Sequence, residues 1–466
     1  MVIENTDERF ISFANKMRAA EMPDIAINNF HHLYHQLIGG STGHIAEATI
    51  QSVQQLPCLD NLEQHYFETG AKVLSETVLL KLNGGLGTSM GLAQAKSLIK
   101  IKDDASFLDI IAQQSIHSKV QLVLMNSFST RKDSLTALNK YPRLSQSIST
   151  LDFIQHKAPK IEQNDLSPAV LTNDPQLEWH PPGHGDIYIA LQSSGILEKL
   201  LDAGFRYALI SNADNLGAVL DERLLGYMVE EAIPFLMEVT TRTNADKKGG
   251  HLAQMEDGRL ILRESAQCMS EDRDDFENIE KHAYFNTNNL WLDLEQLKQT
   301  LSDNNNVLDL PLIRNSKTID PRDTSSMPVY QLETAMGSAI SIIDGARAIE
   351  VSRNRFAPVK TTEDLLLVRS DIYKLEDNFT FSRQLTLTEI PSIKLDDNFY
   401  KMIDDFDLRF AEGVPSLIEC QHLHVKGDIL FGKNIVIKGR VKLENNSDRQ
   451  ISIPANTCIR ENMRWD

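Results

Sequence analysis

The chain has little cysteine and few aromatic residues, and it is short of positive charge. Its 466 residues include only four cysteines, Cys58, Cys268, Cys420 and Cys458, and no Cys-x-x-Cys pair. That excludes a zinc-ribbon pattern and offers no disulfide framework, so a reducing, cytoplasmic setting is expected. Lysine and arginine number 47 against 65 acidic residues, a net charge of −18. General nucleic-acid binding needs a basic face and is excluded; an anionic substrate must be drawn in by a local basic pocket. No apolar run reaches the roughly 18 residues of a membrane span. The acidic start, Met1 to Arg9, has no apolar core, so no secretory signal is expected. The apolar share of 41% and charged share of 24% are those of a soluble globular protein. The length predicts two or three domains.

Residues 77–102 carry the strongest signal. Val78 to Leu82 is a short apolar run, read as a buried parallel strand. Asn83 opens a turn rich in glycine: Gly84, Gly85, Gly87 and Gly91. A strand running into such a turn at a sheet's carboxyl edge is where nucleotides bind in open α/β folds. Lys96 follows within reach of a bound phosphate. The spacing is neither that of a P-loop nor of the dinucleotide pattern, since Lys96 lies five residues past Gly91 and position 90 is Met90. On these residues alone, a ligand-free glycine turn stands beside the nucleotide reading.

The remaining chain alternates strands and helices. Residues 7–75 are predicted helical, from Phe10, Phe13 and Met17 and from Ile27, Phe30, Leu33 and Leu37 at helical spacing. His31 and His35 share a helix face but have no third ligand nearby. A helix is predicted from Phe107 to Ile116, and strands at Val120–Met125 and Leu151–Gln155. The turn Pro181-Pro182-Gly183-His184-Gly185-Asp186 precedes a predicted helix, Ile187 to Leu201. Anions favour helix starts, and His184 faces either a ligand or solvent there. The strand Tyr207 to Ser211 ends in Asn212-Ala213-Asp214. Asp214 is read either as a carboxylate for Mg²⁺, which takes one or two carboxylates plus phosphate oxygens, or as a helix cap.

Further on, a strand at Pro234–Thr240 precedes a hairpin around Asp257-Gly258. Phe285-Asn286-Thr287-Asn288-Asn289 brings short amides to a strand edge, suited to sugar hydroxyls or to a plain polar turn. Gln331 to Met336 is predicted to begin a helix, with Glu333 a sugar-contacting carboxylate or a solvated first-turn residue. Pro358 stiffens the segment before Lys360, and Thr362 is predicted to cap the next helix. From Leu423 onward apolar residues recur every six positions, the mark of a parallel β-helix.

Leu82-Asn83-Gly84-Gly85-Leu86-Gly87-Thr88-Ser89-Met90-Gly91 with Lys96-Ser97 resembles the nucleotide loop of eukaryotic-type UDP-glucose pyrophosphorylases. The four later segments, around His184, Asp214, Asn286 and Lys360, match the same family in the same order. The resemblance spans about residues 77–373 and continues more weakly towards 463. It implies a Rossmann-like, GT-A-like nucleotidyltransferase: an α/β mixed sheet flanked by helices, with a C-terminal left-handed parallel β-helix. The expected divisions are a helical layer (1–75), a catalytic domain (76–375), a linker (376–418) and the β-helix (419–466).

The implied reaction converts UTP and glucose 1-phosphate to UDP-glucose and pyrophosphate, reversibly and with Mg²⁺. The family pattern assigns the nucleotide to Leu82, Asn83, Gly84, Gly85, Gln155, Gly183, Asn212 and Asp214. It assigns the sugar phosphate to His184, Asn286, Thr287 and Asn288. Lys96 is read as holding the pyrophosphate side, Lys360 as the catalytic cation at the reacting phosphates, and Asp214 as the metal ligand. The segment Phe153 to Pro159 departs from the usual pattern around Gln155, and Ala95 stands where many members have proline. The longer apolar tail some members use for end-to-end assembly is missing, so a monomer or small homo-oligomer is expected. The competing readings are uridylyl transfer to galactose or N-acetylglucosamine 1-phosphate, and a non-catalytic nucleotide-sugar binder.

Overall fold

The computed structural model describes residues 8–145, 152–384 and 389–466. The start of the acidic N-terminal segment and Leu151 lie outside the described residues. The centre is a mixed sheet covered by helices, so the fold is α/β as predicted. The apolar run forms the strand Thr77–Asn83, in which only Leu82 is not fully buried. Tyr207–Asn212 and Gln121–Asn126 flank it in parallel, and Asp152–Ile154 continues the parallel side. Helices such as Phe107–Ser118 and Arg131–Leu138 supply the crossovers such pairing needs. Strands covered on both faces read as unbroken apolar runs, which is why these were legible. Leu82 pairs with Asn212 and with Met125, and Asn83 with Asn126. The carboxyl ends of these strands therefore share one edge.

The other half of the sheet is antiparallel. Tyr284–Asp293 runs against Tyr207–Asn212 on one side and Phe235–Thr241 on the other. The hairpin His251–Met255 and Leu260–Arg263 joins it through His251 and Phe285. The register with Phe235–Thr241 slips between Glu238 and Val239, and Asn288 takes φ +58° there. The polar amides thus lie within a bulged strand, not beside one.

Several elements differ from expectation. The helix predicted over 187–201 is two, Ile187–Ser193 and Ile196–Asp202, broken at Ser194-Gly195. The N-terminal region holds helices Glu8–Ala19, Asp24–Ile38 and Gln64–Val73, but Ile50–Gln51 is an edge strand against Met255 and Gln254. Phe10, Phe13, Met17, Ile27, Phe30, Leu33 and Leu37 are all buried, as their spacing requires. Gln331 does not start a helix: Pro328–Glu333 is a strand between Ile313–Thr318 and Ile161–Glu162. One of its partners, Ile161–Glu162, lies far away in the chain, so local pattern could not reveal that pairing.

Residues 397–409 form two short helices, Asp397–Tyr400 and Ile403–Arg409, whose Tyr400 and Phe406 are wholly buried in one apolar cluster with Ile429 and Phe431. Beyond them lie short parallel ladders. Cys420–Lys426 pairs with Gly439–Asn445, Ile429–Phe431 with Ile451–Ile453, and Val436–Ile437 with Cys458–Ile459. Leu423, Ile429, Ile435 and Val441, six apart, are all buried. Among the described residues no helix is long and apolar enough to cross a membrane.

Candidate active site

A cavity of about 340 Å³ opens at the carboxyl edge of the parallel strands. One wall is Leu82, Asn83, Gly84 and Gly85, with Lys96 and Ser97 from the same loop. Gln155 and Met125 come from the neighbouring strand ends. Pro181, Gly183 and His184 close it from the facing turn, and Asn212, Ala213 and Asp214 complete the floor. Residues from five stretches spread over more than a hundred positions thus meet because parallel strands deliver their ends to one place. A wider groove between residues 53–57, 254–260 and 340–348 contains none of the candidate residues.

Asp214 is not a helix cap. The next helix, Glu222–Glu230, is capped by Asp221, which accepts from the Arg223 and Leu224 amides. The Asp214 carboxylate faces the cavity and pairs with Lys96, Nζ to Oδ2 at 2.5 Å. The glycine loop therefore brings its ammonium directly to the strand-end carboxylate. Beneath them Lys81 is completely buried and donates to Ser211 Oγ at 2.7 Å and the Ala218 carbonyl at 3.0 Å. Burial pulls its ammonium down to about 7. Asn83 is positioned at the wall, but its amide nitrogen is committed to Asn126 Oδ1 and Ser134 Oγ, each at 2.7 Å.

The facing turn is tightly fixed. Gly183 has φ +81°, and a Cβ there would stand 2.3 Å from the Thr334 carbonyl, so only glycine fits. His184 Nδ1 accepts from the Met336 amide at 2.9 Å. Burial lowers this imidazole to about 4, so it is neutral and carries its proton on Nε2. It can donate to a phosphate oxygen without adding charge. Asp186 of the same turn accepts from the His156 amide at 2.7 Å and holds the ring Nδ1 at 2.8 Å, which anchors the residue after Gln155.

The other predicted residues do not line this cavity. Asn286 and Asn288 bond each other within the bulge, Nδ2 to Oδ1 at 2.9 Å. The Thr287 hydroxyl donates to the Glu238 carbonyl at 2.7 Å and is spent on the backbone. Glu333 sits at a strand end beside Gly183, its carboxyl raised by burial and bonded by Asn315. Lys360 is exposed on the turn before helix Thr362–Arg369. Thr361, not Thr362, caps that helix, in a capping box with Asp364. The preceding residue reaches the floor of the cavity: the Val359 amide donates to the Asp214 carbonyl at 3.3 Å.

Sequence reasoning passed over Glu264. It follows the second hairpin strand, and its carboxyl lies against Gly250, whose carbonyl accepts from the Asn286 amide at 3.3 Å. Burial raises this carboxyl above the usual range, and the charge of Lys360 opposes that rise. Glu264 therefore lies beside the bulge that carries Asn286. The one available signal was an acidic residue at a hairpin end near the turn Lys247 to Gly250.

A family model described as UTP–glucose-1-phosphate uridylyltransferase matches residues 27–438. UTP–glucose-1-phosphate uridylyltransferase 2 of Dictyostelium discoideum is 41% identical over 398 residues, covering 82% of this chain and 76% of that protein. The enzyme of that name from Saccharomyces cerevisiae is 40% identical over 397 residues, covering 84% and 78%. Among solved structures, a Leishmania major UDP-glucose pyrophosphorylase variant in complex with UDP-glucose is 42% identical with a TM-score of 0.90, over 98% of this chain and 99% of that one. A Trypanosoma brucei UDP-glucose phosphorylase is 43% identical with a TM-score of 0.89, over 98% and 100%. With its strand-end carboxylate, glycine loop and facing histidine turn set in that same fold, the chain belongs to the UTP–glucose-1-phosphate uridylyltransferase family of enzymes.

Proposed function

We propose that the chain joins UTP to glucose 1-phosphate, forming UDP-glucose and pyrophosphate, reversibly and with Mg²⁺. The observation that supports this most directly is the cavity in which the Asn83-Gly84-Gly85 loop, Lys96, Gln155, Gly183, His184, Asn212 and Asp214 meet. A phosphate oxygen of the sugar attacks the α-phosphorus of UTP, and pyrophosphate leaves. The attacking oxygen is already ionised at neutral pH, so the chain's task is to align two anions and offset their repulsion. Gln155 and the Gly183 backbone suit the edge of a base. Lys96 is within reach of the leaving phosphates. His184, neutral, donates from Nε2 and does not act as a general base, since its pKa of about 4 makes it a poor proton acceptor at pH 7. Lys360 supplies the second cation at the reacting phosphates.

A single cavity-facing carboxylate fits Mg²⁺, which takes one or two carboxylates and fills its shell with phosphate oxygens and water. Asp214 is the residue that would hold it, and the ion would supply positive charge to the phosphates. Asn286, Asn288 and Glu264 form the sugar end, with Glu264 accepting from hydroxyls; Thr287 shapes the bulge, and Glu333 flanks the Gly183 turn. The short C-terminal ladders suit coils of a left-handed β-helix that stiffens residues 419–466. Free Cys58, Cys268, Cys420 and Cys458 suit a reducing, cytoplasmic setting.

The test is pyrophosphate release from UTP and Mg²⁺ with glucose, galactose and N-acetylglucosamine 1-phosphates at equal concentration. Release strongly favouring glucose is expected. Release favouring another sugar would move the specificity, and no release despite UTP binding would leave a nucleotide-sugar binder.

A further inference from the structure

Lys360 is exposed and its segment is irregular, yet a catalytic cation must be held in place. Its own amide is held locally by Asp364, and a buried amide ties the segment before it to the Asp214 loop. Asn215, 1% exposed, follows Asp214 and extends its side chain into the neighbouring 353–360 segment. Its Nδ2 donates to the Arg355 carbonyl at 3.1 Å and to Asn289 Oδ1 at 3.0 Å. Its Oδ1 accepts from the Ala357 amide at 3.0 Å and the Gly217 amide at 3.2 Å. All four hydrogen-bonding positions of the amide are used, two of them by the backbone of the segment that carries Lys360.

The surroundings make the junction rigid. Asn289 Nδ2 donates to Glu238 Oε2 at 3.0 Å and to the Arg355 carbonyl at 3.1 Å. Glu238, fully buried, holds Arg355 through both carboxylate oxygens, at 2.8 and 2.6 Å, and Arg355 Nη2 also donates to the Val219 carbonyl at 2.8 Å. The two backbones are pressed together: Asn215 bridges to Pro358, and a Cβ on Gly217 would lie 2.5 Å from the Asn354 carbonyl.

We propose that Asn215 is a positioning residue that locks the Lys360 segment to the Asp214 loop, so that the catalytic cation and the metal-binding carboxylate are set as one unit. This rests on the functional reading of Lys360 given above. A stability role alone would lower the amount of folded enzyme; a positioning role makes the contribution of Lys360 depend on Asn215.

The experiment is a double-mutant cycle in kcat on the full chain, with Asn215→Ala, Lys360→Ala and both. Lys360→Ala alone is expected to lose on the order of a hundredfold in kcat. Asn215→Ala should lose about ten- to a hundredfold with KM for UTP nearly unchanged, and in its background Lys360→Ala should cost less than about tenfold more. Gly217→Ala, which forces the backbones apart while keeping the Asn215 side chain itself, is run in parallel and should show the same loss of coupling, also covering a failure of Asn215→Ala to fold. Additive effects with an impaired Lys360→Ala enzyme would overturn the positioning role alone. Normal turnover in Lys360→Ala would overturn both the role of Lys360 and the proposal resting on it.

Discussion

The two ends of the site are built by different means. The proposed nucleotide end sits where parallel strands stop, and most of its residues follow short apolar runs that reach the same edge. The proposed sugar end is assembled from antiparallel strands, a bulge at Asn288 and a hairpin end at Glu264. Parallel topology fixes position cheaply, because any residue just past a strand is delivered to one line. The antiparallel end must fix each residue by its own contacts. Those contacts are polar and buried, as in the Asn286–Asn288 pair and the Asn215 amide.

That contrast is open to attack. Asp214→Ala strikes the parallel end where no other group can substitute. It is expected to lower kcat by at least about a hundredfold and to abolish the response to Mg²⁺, read by titrating the metal in the pyrophosphate assay. An unchanged metal response would remove Asp214 from that role. Glu264→Gln should leave UTP binding intact and raise KM for glucose 1-phosphate by roughly tenfold, the scale of losing one good hydrogen bond to a charged acceptor. If KM for UTP moved instead, the division of the site into two ends would be wrong.

Gly183→Ala should cost about 2 kcal/mol or more of stability, measured by denaturant unfolding, because it combines a strained φ with a clash against the Thr334 carbonyl. The smallest effect is on pH. Burial holds His180 and His184 each down to about 4. Between about 6.5 and 4 the unfolded chain takes up protons that these folded imidazoles refuse, so stability falls as pH falls through that window. Melting at about pH 7 and pH 5 should show the drop, and His180→Gln should make it shallower.

Legibility in the sequence followed the same division. The strands at 77–83, 121–126 and 207–212 were readable because each is an apolar run of strand length bounded by turn residues. The loops after the first and last of them carry Gly84 and Asp214 into one cavity without any knowledge of pairing. Glu333 was misread as helical because Pro328–Glu333 is held by Ile313–Thr318 across a loop on one side and by Ile161–Glu162, over a hundred residues away, on the other. Glu264 carried no motif, and Asn215 looked like an ordinary loop amide. Their importance arises from burial and from what they touch, and neither is written in local spacing.

The pairing of Lys96 with Asp214 has a thermodynamic consequence. The ammonium and the carboxylate offset each other, so neither presents a bare charge to the cavity. On the proposed assignment, a nucleotide that takes the ammonium for its phosphates would leave the carboxylate uncovered, and a cation that takes the carboxylate would free the ammonium. Each event would then do part of the other's work, so nucleotide and cation would tighten one another's binding by the same factor. The ion pair would act as a latch that either ligand lifts alone only at a cost, and that both together open easily.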